Sequence, residues 1–170
     1  MEEQNIDFEY TQSIPSGPKP KIMIIGLGNI LLQDEGIGVH IIKALQKMDI
    51  PDNIDLVDGG TAELDLMNYM NKGIDKVIII DAVKGGSKAG TTFRLSVNEI
   101  MATTKHISSL HQKELIEAIK MLELFTRKPR EIVILGIVPK ETEWSLTLSP
   151  ELQNKIPEIT RIVFDEIEKK

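Results

Sequence analysis

The sequence predicts an α/β fold, a three-layer α/β/α arrangement in which a twisted, mainly parallel sheet carries helices on both faces. Three observations predict it. The runs KIMIIG at 21–26, KVIIID at 76–81 and EIVILGIV at 131–138 are continuously apolar, as suits strands covered on both faces. Segments with apolar residues at helical spacing lie between such runs. Strand and helix alternate along the chain, the order that builds a parallel sheet.

The elements follow in order. Residues 1–20, MEEQNIDFEYTQSIPSGPKP, are rich in Pro, Gly, Ser and acid and read as a flexible leader ending at Pro20. They have neither the basic start nor the apolar middle of a signal peptide. Residues 21–170 form a single α/β domain. After the first strand and the turn Gly26-Leu27-Gly28, the residues Ile37, Ile41, Ala44, Leu45 and Met48 mark a helix from about Glu35. IDLV at 54–57 is the second strand, ended by Asp58-Gly59-Gly60, and Thr61 caps a following helix. KVIIID runs into the glycine-rich loop KGGSKAG and a strand TFRLSV. Ser109 and Gln112 have capping-box spacing ahead of the stripe Leu115, Ile116, Ile119 and Leu122. Ser149-Pro150-Glu151 opens the last helix, which Pro157 should kink or restart.

Composition bounds the function. Of 170 residues, 41% are hydrophobic and 27% charged, ordinary values for a globular chain. The net charge of −6 argues against a nucleic-acid partner. With no cysteine, disulfides, thiolate metal sites and a thiol nucleophile are excluded, and nothing calls for an oxidising compartment, so a cytoplasmic setting is expected. No apolar run reaches membrane-spanning length, and no membrane partner is expected.

In open α/β sheets, sites form at the carboxyl ends of the strands. Glu35 follows the first strand, Asp81 closes the third, and His111 stands second in its helix, so all three should share that edge. Asp34 is the expected N-cap of the first helix, accepting from the amide of Gly36 or Ile37 and leaving Glu35 free to project. The acid pair fits helix-dipole compensation equally well. Two carboxylates and an imidazole kept neutral by a helix start make an O,O,N set for zinc, nickel or a similar divalent ion. His40 should face solvent, turned away from Glu35, and His106 sits in a linker. Asp58-Gly59-Gly60-Thr61 is a second candidate element on the same edge, a tight turn or a substrate loop. KGGSKAG lacks the order of a phosphate loop and is either a connector or a mobile loop beside the site.

Together GLGNILLQDEGIGVHIIKAL at 26–45, DGGT at 58–61, IIIDA at 78–82, SSLHQ at 108–112 and PKETEWSLTLSP near the end resemble the maturation endopeptidases of [NiFe] hydrogenases. The resemblance spans most of the chain from Lys21 and implies a peptidase domain with a metal site of Glu35, Asp81 and His111. It implies one cleavage near the C-terminus of the hydrogenase large-subunit precursor after nickel insertion, with nickel carried by that substrate and serving as the recognition element. Two mechanisms stay open. Either a bound metal polarises the scissile carbonyl or activates water, or nickel anchors the substrate while Glu35 or Asp81 assists water as base. No catalytic nucleophile is assigned, since no Ser-His-Asp arrangement stands out.

Three other readings compete. A non-enzymatic nickel-binding maturation chaperone needs the same ligands and no hydrolysis. A peptidyl-tRNA hydrolase also opens on a strand and GLGN, but should carry an asparagine-histidine element where this chain has LLQDEGIGVH. A dinucleotide-binding oxidoreductase fails on Leu31, where a third glycine would let the helix pack close, and on the acid pair that follows.

Overall fold

The computed structural model describes residues 18–61, 73–102, 110–122, 124 and 128–169. The leader before residue 18 and the helix expected after Thr61 lie outside the described residues.

Five strands form one sheet in the order β2-β1-β3-β5-β4. They are β1 (Ile22–Leu27), β2 (Ile54–Gly60), β3 (Lys76–Ala82), β4 (Thr92–Ser96) and β5 (Glu131–Ile137). Every pairing is parallel except that of β4 with β5, so the sheet is mainly parallel with one antiparallel edge. β2 continues through Asp58-Gly59-Gly60 instead of ending before them, because Gly59 is an extra residue between the pairs Gly26–Asp58 and Leu27–Gly60, and this bulge keeps Gly60 paired.

Alternation along the central strands divides the core in two. On one face Ile22, Ile24, Ile78, Ile80, Val133 and Leu135 meet α1 (Ile37–Leu45) and the last helix. On the other, Met23, Ile25, Val77, Ile79 and Ile134 meet Leu115 and Ile119 of a helix spanning Leu110–Leu122. A short helix, Val97–Ala102, lies on this second face and is designated α2; Leu110–Leu122 is α3 and Pro150–Glu168 is α4. Both faces are therefore covered, which is why these strands read as continuous apolar runs.

α4 begins as its sequence suggests, with Ser149 as N-cap, its hydroxyl accepting from the Leu152 amide, and Pro150 in the first turn. Pro157 does not interrupt it. Pro157 and Gln153 both lie on the exposed side, so water can satisfy the carbonyl that loses its helical donor. Near the end of α4, Glu166 is buried to 1% exposure. Its carboxylate accepts from Lys76 Nζ at 2.9 Å and Arg94 Nε at 2.8 Å. Burial works to raise the Glu166 carboxyl, but hydrogen bonds from Arg94, Lys76 and Lys169 outweigh it and bring it down to about 2.

No helix among the described residues is long and apolar enough to cross a membrane.

Candidate functional site at the sheet switch point

The chain leaves β1 for β2 on one side and returns to β3 on the other, so the crevice between the carboxyl ends of β1 and β3 is the topological switch point. Gly28 opens the turn at φ 125°, with its amide donating to Gly60 O at 2.7 Å. A Cβ on Gly28 would lie 1.8 Å from the carbonyl oxygen of Glu35, so the turn folds directly over its own start. Asn29 Oδ1 accepts from Leu31 N, and a 3-10 helix at Gln33–Gly36 packs against β3. Gln33 is held at φ 48°, a left-handed conformation that non-glycine residues rarely adopt.

α1 starts at Ile37, two residues later than expected, with no side-chain cap. The residue that lets it approach the sheet is Gly38, not the position taken by Leu31. A Cβ there would lie 2.2 Å from Ile80 O and 2.4 Å from Leu27 O. Glu35, three residues before Gly38, and Asp81, next to Ile80, are thereby brought to the same end of the sheet.

Asp34 does not cap its own helix. It is fully buried, and its carboxylate accepts from Lys140 N, Glu141 N, Ser149 N and Ser149 Oγ at 2.7–3.0 Å. It ties the first turn to the β5–α4 connection, a role for which long-range donors outcompete the local amides. Glu35 is half-buried, and its Oε2 is buried with no hydrogen-bond partner among the described residues. An anionic oxygen withheld from water without a donor suits a cation. Asp81 is 6% exposed at the end of β3, with Oδ1 accepting from Ala82 N at 2.8 Å.

His111 is the second residue of α3, and its side chain lies outside the described residues, as do Ser109 and His106. Ile119, near the far end of α3, packs beside Pro129 and Arg130 at the start of β5. The helix start therefore points to the opposite edge, that of Asp81. No group of three metal-ligating side chains is found among the described residues, which hold only two of the three expected ligands.

His40 is not solvent-facing. It is half-buried with Nε2 buried and unpartnered among the described residues. Burial, then Lys43, lowers its pKa, against the opposing pull of Asp34, so the ring is neutral at pH 7. Asp58 is exposed, with Oδ1 accepting from Gly60 N at 3.1 Å, so Asp58-Gly59-Gly60 closes the end of β2 beside Gly28, and exposed Thr61 follows. KGGSKAG connects β3 to β4 and is exposed from Lys84 to Lys88.

A family model described as hydrogenase maturation protease matches residues 39–166. The chain belongs to the hydrogenase maturation protease family. The match begins after the acid pair, so it rests on the rest of the chain and stands apart from the GLGN motif. The chain is 35% identical to the hydrogenase 2 maturation protease of Escherichia coli strain K12 over 80% of its own length and 84% of the relative. Among solved structures, it resembles the hydrogenase maturating endopeptidase HybD from E. coli with a TM-score of 0.79 and 33% identity, covering 86% of this chain and 91% of that one. It also resembles the [NiFe] hydrogenase maturation protease HybD from Thermococcus kodakarensis, with a TM-score of 0.73 and 27% identity over 87% and 99% of the two chains. As a hydrogenase maturation protease, the chain is a hydrolase, and the dinucleotide and peptidyl-tRNA readings fall.

Proposed function

We propose that this maturation protease removes a C-terminal peptide from the large-subunit precursor of a [NiFe] hydrogenase in the cytoplasm, once nickel has been inserted. The observation that carries the reading is Glu35 Oε2, buried and without a donor among the described residues, in the turn that packs against the strand ending at Asp81 and Ala82. Such an oxygen is costly to maintain unless a cation arrives. Glu35 and Asp81, with His111 from the start of α3, are the residues that would receive nickel, here part of the substrate.

Once seated, the ion polarises groups bound to it. The chain's own contribution is positioning. Gly38 sets α1 against the strand ends, Asp34 fixes the turn that carries Glu35, and Asp58-Gly59-Gly60-Thr61 borders the crevice as the substrate loop. A carboxylate oxygen not engaged with the ion, on Glu35 or Asp81, accepts a proton from the attacking water. Nickel thus licenses cleavage by holding the precursor's tail at that oxygen, and a nickel-free precursor is not held. A purely binding chaperone would need the same ligands, but the family is one of proteases.

The test is the intact mass of nickel-loaded precursor before and after incubation with the protein. Loss of one discrete C-terminal peptide, absent with nickel-free precursor, is expected. Equal cleavage of both forms would overturn nickel gating, and an unchanged mass would overturn the peptidase assignment to this substrate.

A further inference from the structure

The turn that carries Glu35 is joined to the β5–α4 connection by a short parallel bridge between Leu32 and Ser145. Ser145 N donates to Leu31 O at 3.1 Å, and Gln33 N donates to Ser145 O at 3.0 Å. Leu31 flanks that bridge in one segment, and Trp144 and Leu146 flank it in the other. Those three are 47%, 80% and 65% exposed.

An apolar trio exposed on a floppy loop would mean little. This one is held rigidly, because the four hydrogen bonds to Asp34 fix the backbone on both sides of it. Exposed aromatic and aliphatic side chains on a fixed backbone are what recognition surfaces use, since little entropy is lost on contact. The face adjoins Glu35, four residues beyond Leu31 in the same turn. Exposed Glu141 and Glu143 precede Trp144 in the same connection and make its surroundings acidic.

We propose that Leu31, Trp144 and Leu146 form the surface on which the protease docks its protein substrate. The occupant is an apolar segment of the large-subunit precursor flanked by basic residues, an assignment that rests on the function proposed above. Continuity with the crevice argues for the substrate, and the acidic surroundings argue for the basic flank. Size argues against a second copy of this chain. Three side chains offer roughly 300–400 Å², whereas a stable interface buries about 1,200–2,000 Å². A modest patch suits a partner that must leave after one cut.

Trp144 is the only tryptophan in the chain, so 5-fluorotryptophan labelling gives one ¹⁹F resonance at the centre of the face. With nickel-loaded, unlabelled precursor added, that resonance should shift. Trp144→Ala should raise KM by about tenfold or more with kcat changed less than about threefold and the thermal midpoint unchanged. Met48→Ala should leave KM unaltered, since Met48 matches Leu31 in exposure but follows α1 at the opposite edge. Cleavage with an unmoved resonance and unchanged KM overturns the docking face and spares the protease reading. A shifted resonance without cleavage supports the face and counts against the protease reading. A precursor neither held nor cut overturns both. A resonance that moves when the protease alone is concentrated assigns the face to a second copy and overturns the proposal.

Discussion

Replacing Gly38 with alanine sets two known effects against each other. Inside a helix, alanine is favoured over glycine by about 1 kcal/mol, so a surface view of α1 predicts stabilisation. The structure predicts the reverse. The new Cβ would lie 2.2 Å from Ile80 O, 2.4 Å from Leu27 O and 2.7 Å from Leu27 N, where ordinary contact begins at 3.4 Å. All three atoms are backbone of central strands, so the helix must lift by about 1 Å because the sheet cannot give. A gap of that size forfeits about a quarter to a half of the contact energy of the side chains beneath it. Ile37, Ile41, Ile42 and Leu45 are all fully buried under α1, and burial of each is worth about 1.5–3 kcal/mol. The net loss is therefore about 3 kcal/mol after the helical gain is subtracted. Urea unfolding followed by circular dichroism should show a midpoint lowered by roughly 1–2 M with an unchanged slope. A midpoint that stays or rises would refute the close-packing argument and leave propensity as the ruling term.

Further outcomes are expected elsewhere. Asp34→Asn turns an amide NH₂ toward backbone donors and should cost about 3–5 kcal/mol, with amide exchange at Lys140, Glu141 and Ser149 accelerating first. Glu35→Gln keeps the side-chain volume and should reduce precursor processing by about 100-fold or more, with unfolding energy within about 0.5 kcal/mol of wild type; normal turnover would remove Glu35 from the site. His111→Ala should abolish processing in the same assay while the circular dichroism spectrum is retained. The Glu166 carboxyl lies at about 2 when folded against 4.5 as the ordinary value. Its contribution, up to about 3 kcal/mol, is present above pH 4.5 and lost as pH falls toward 2. Glu166→Gln should flatten that part of the stability profile, and an equally steep acid loss in the variant would assign it to other groups.

What the sequence made legible was periodicity and order. Strands with both faces covered announce themselves as unbroken apolar runs, and β1, β3 and β5 fall within a residue of expectation. The end of β2 was less legible, because Gly59 bulges out of the pairing with β1 and lets Gly60 stay paired, while its local sequence reads as a turn. Glu35 and Asp81 could be placed on one edge from strand polarity alone. Asp34 could not be read, since its donors lie as far as 115 residues away and a local cap is chemically just as reasonable. His40 looked outward by helical angle but is half-buried, with Asp34 and Lys43 among the charges acting on it. The left-handed Gln33 had no signal, as glycine or asparagine would ordinarily mark such a turn. Trp144 and Leu146 were visible as residues, but their nearness to the segment of Leu31 depends on a bridge that no local pattern encodes.

The partnership of Asp34 with Ser149 also sets a timetable. Synthesis proceeds from the N-terminus, so β1 and its acidic turn leave the ribosome long before the chain that supplies their donors. Until the β5–α4 connection emerges, Asp34 has no reason to leave water, and the turn carrying Glu35 has no fixed shape. The crevice is thus assembled only after the β5–α4 connection has emerged, and long sequence separation makes that closure slow. Nascent chains arrested before Ser149 should remain open to proteolysis at 28–36, and chains released at full length should not.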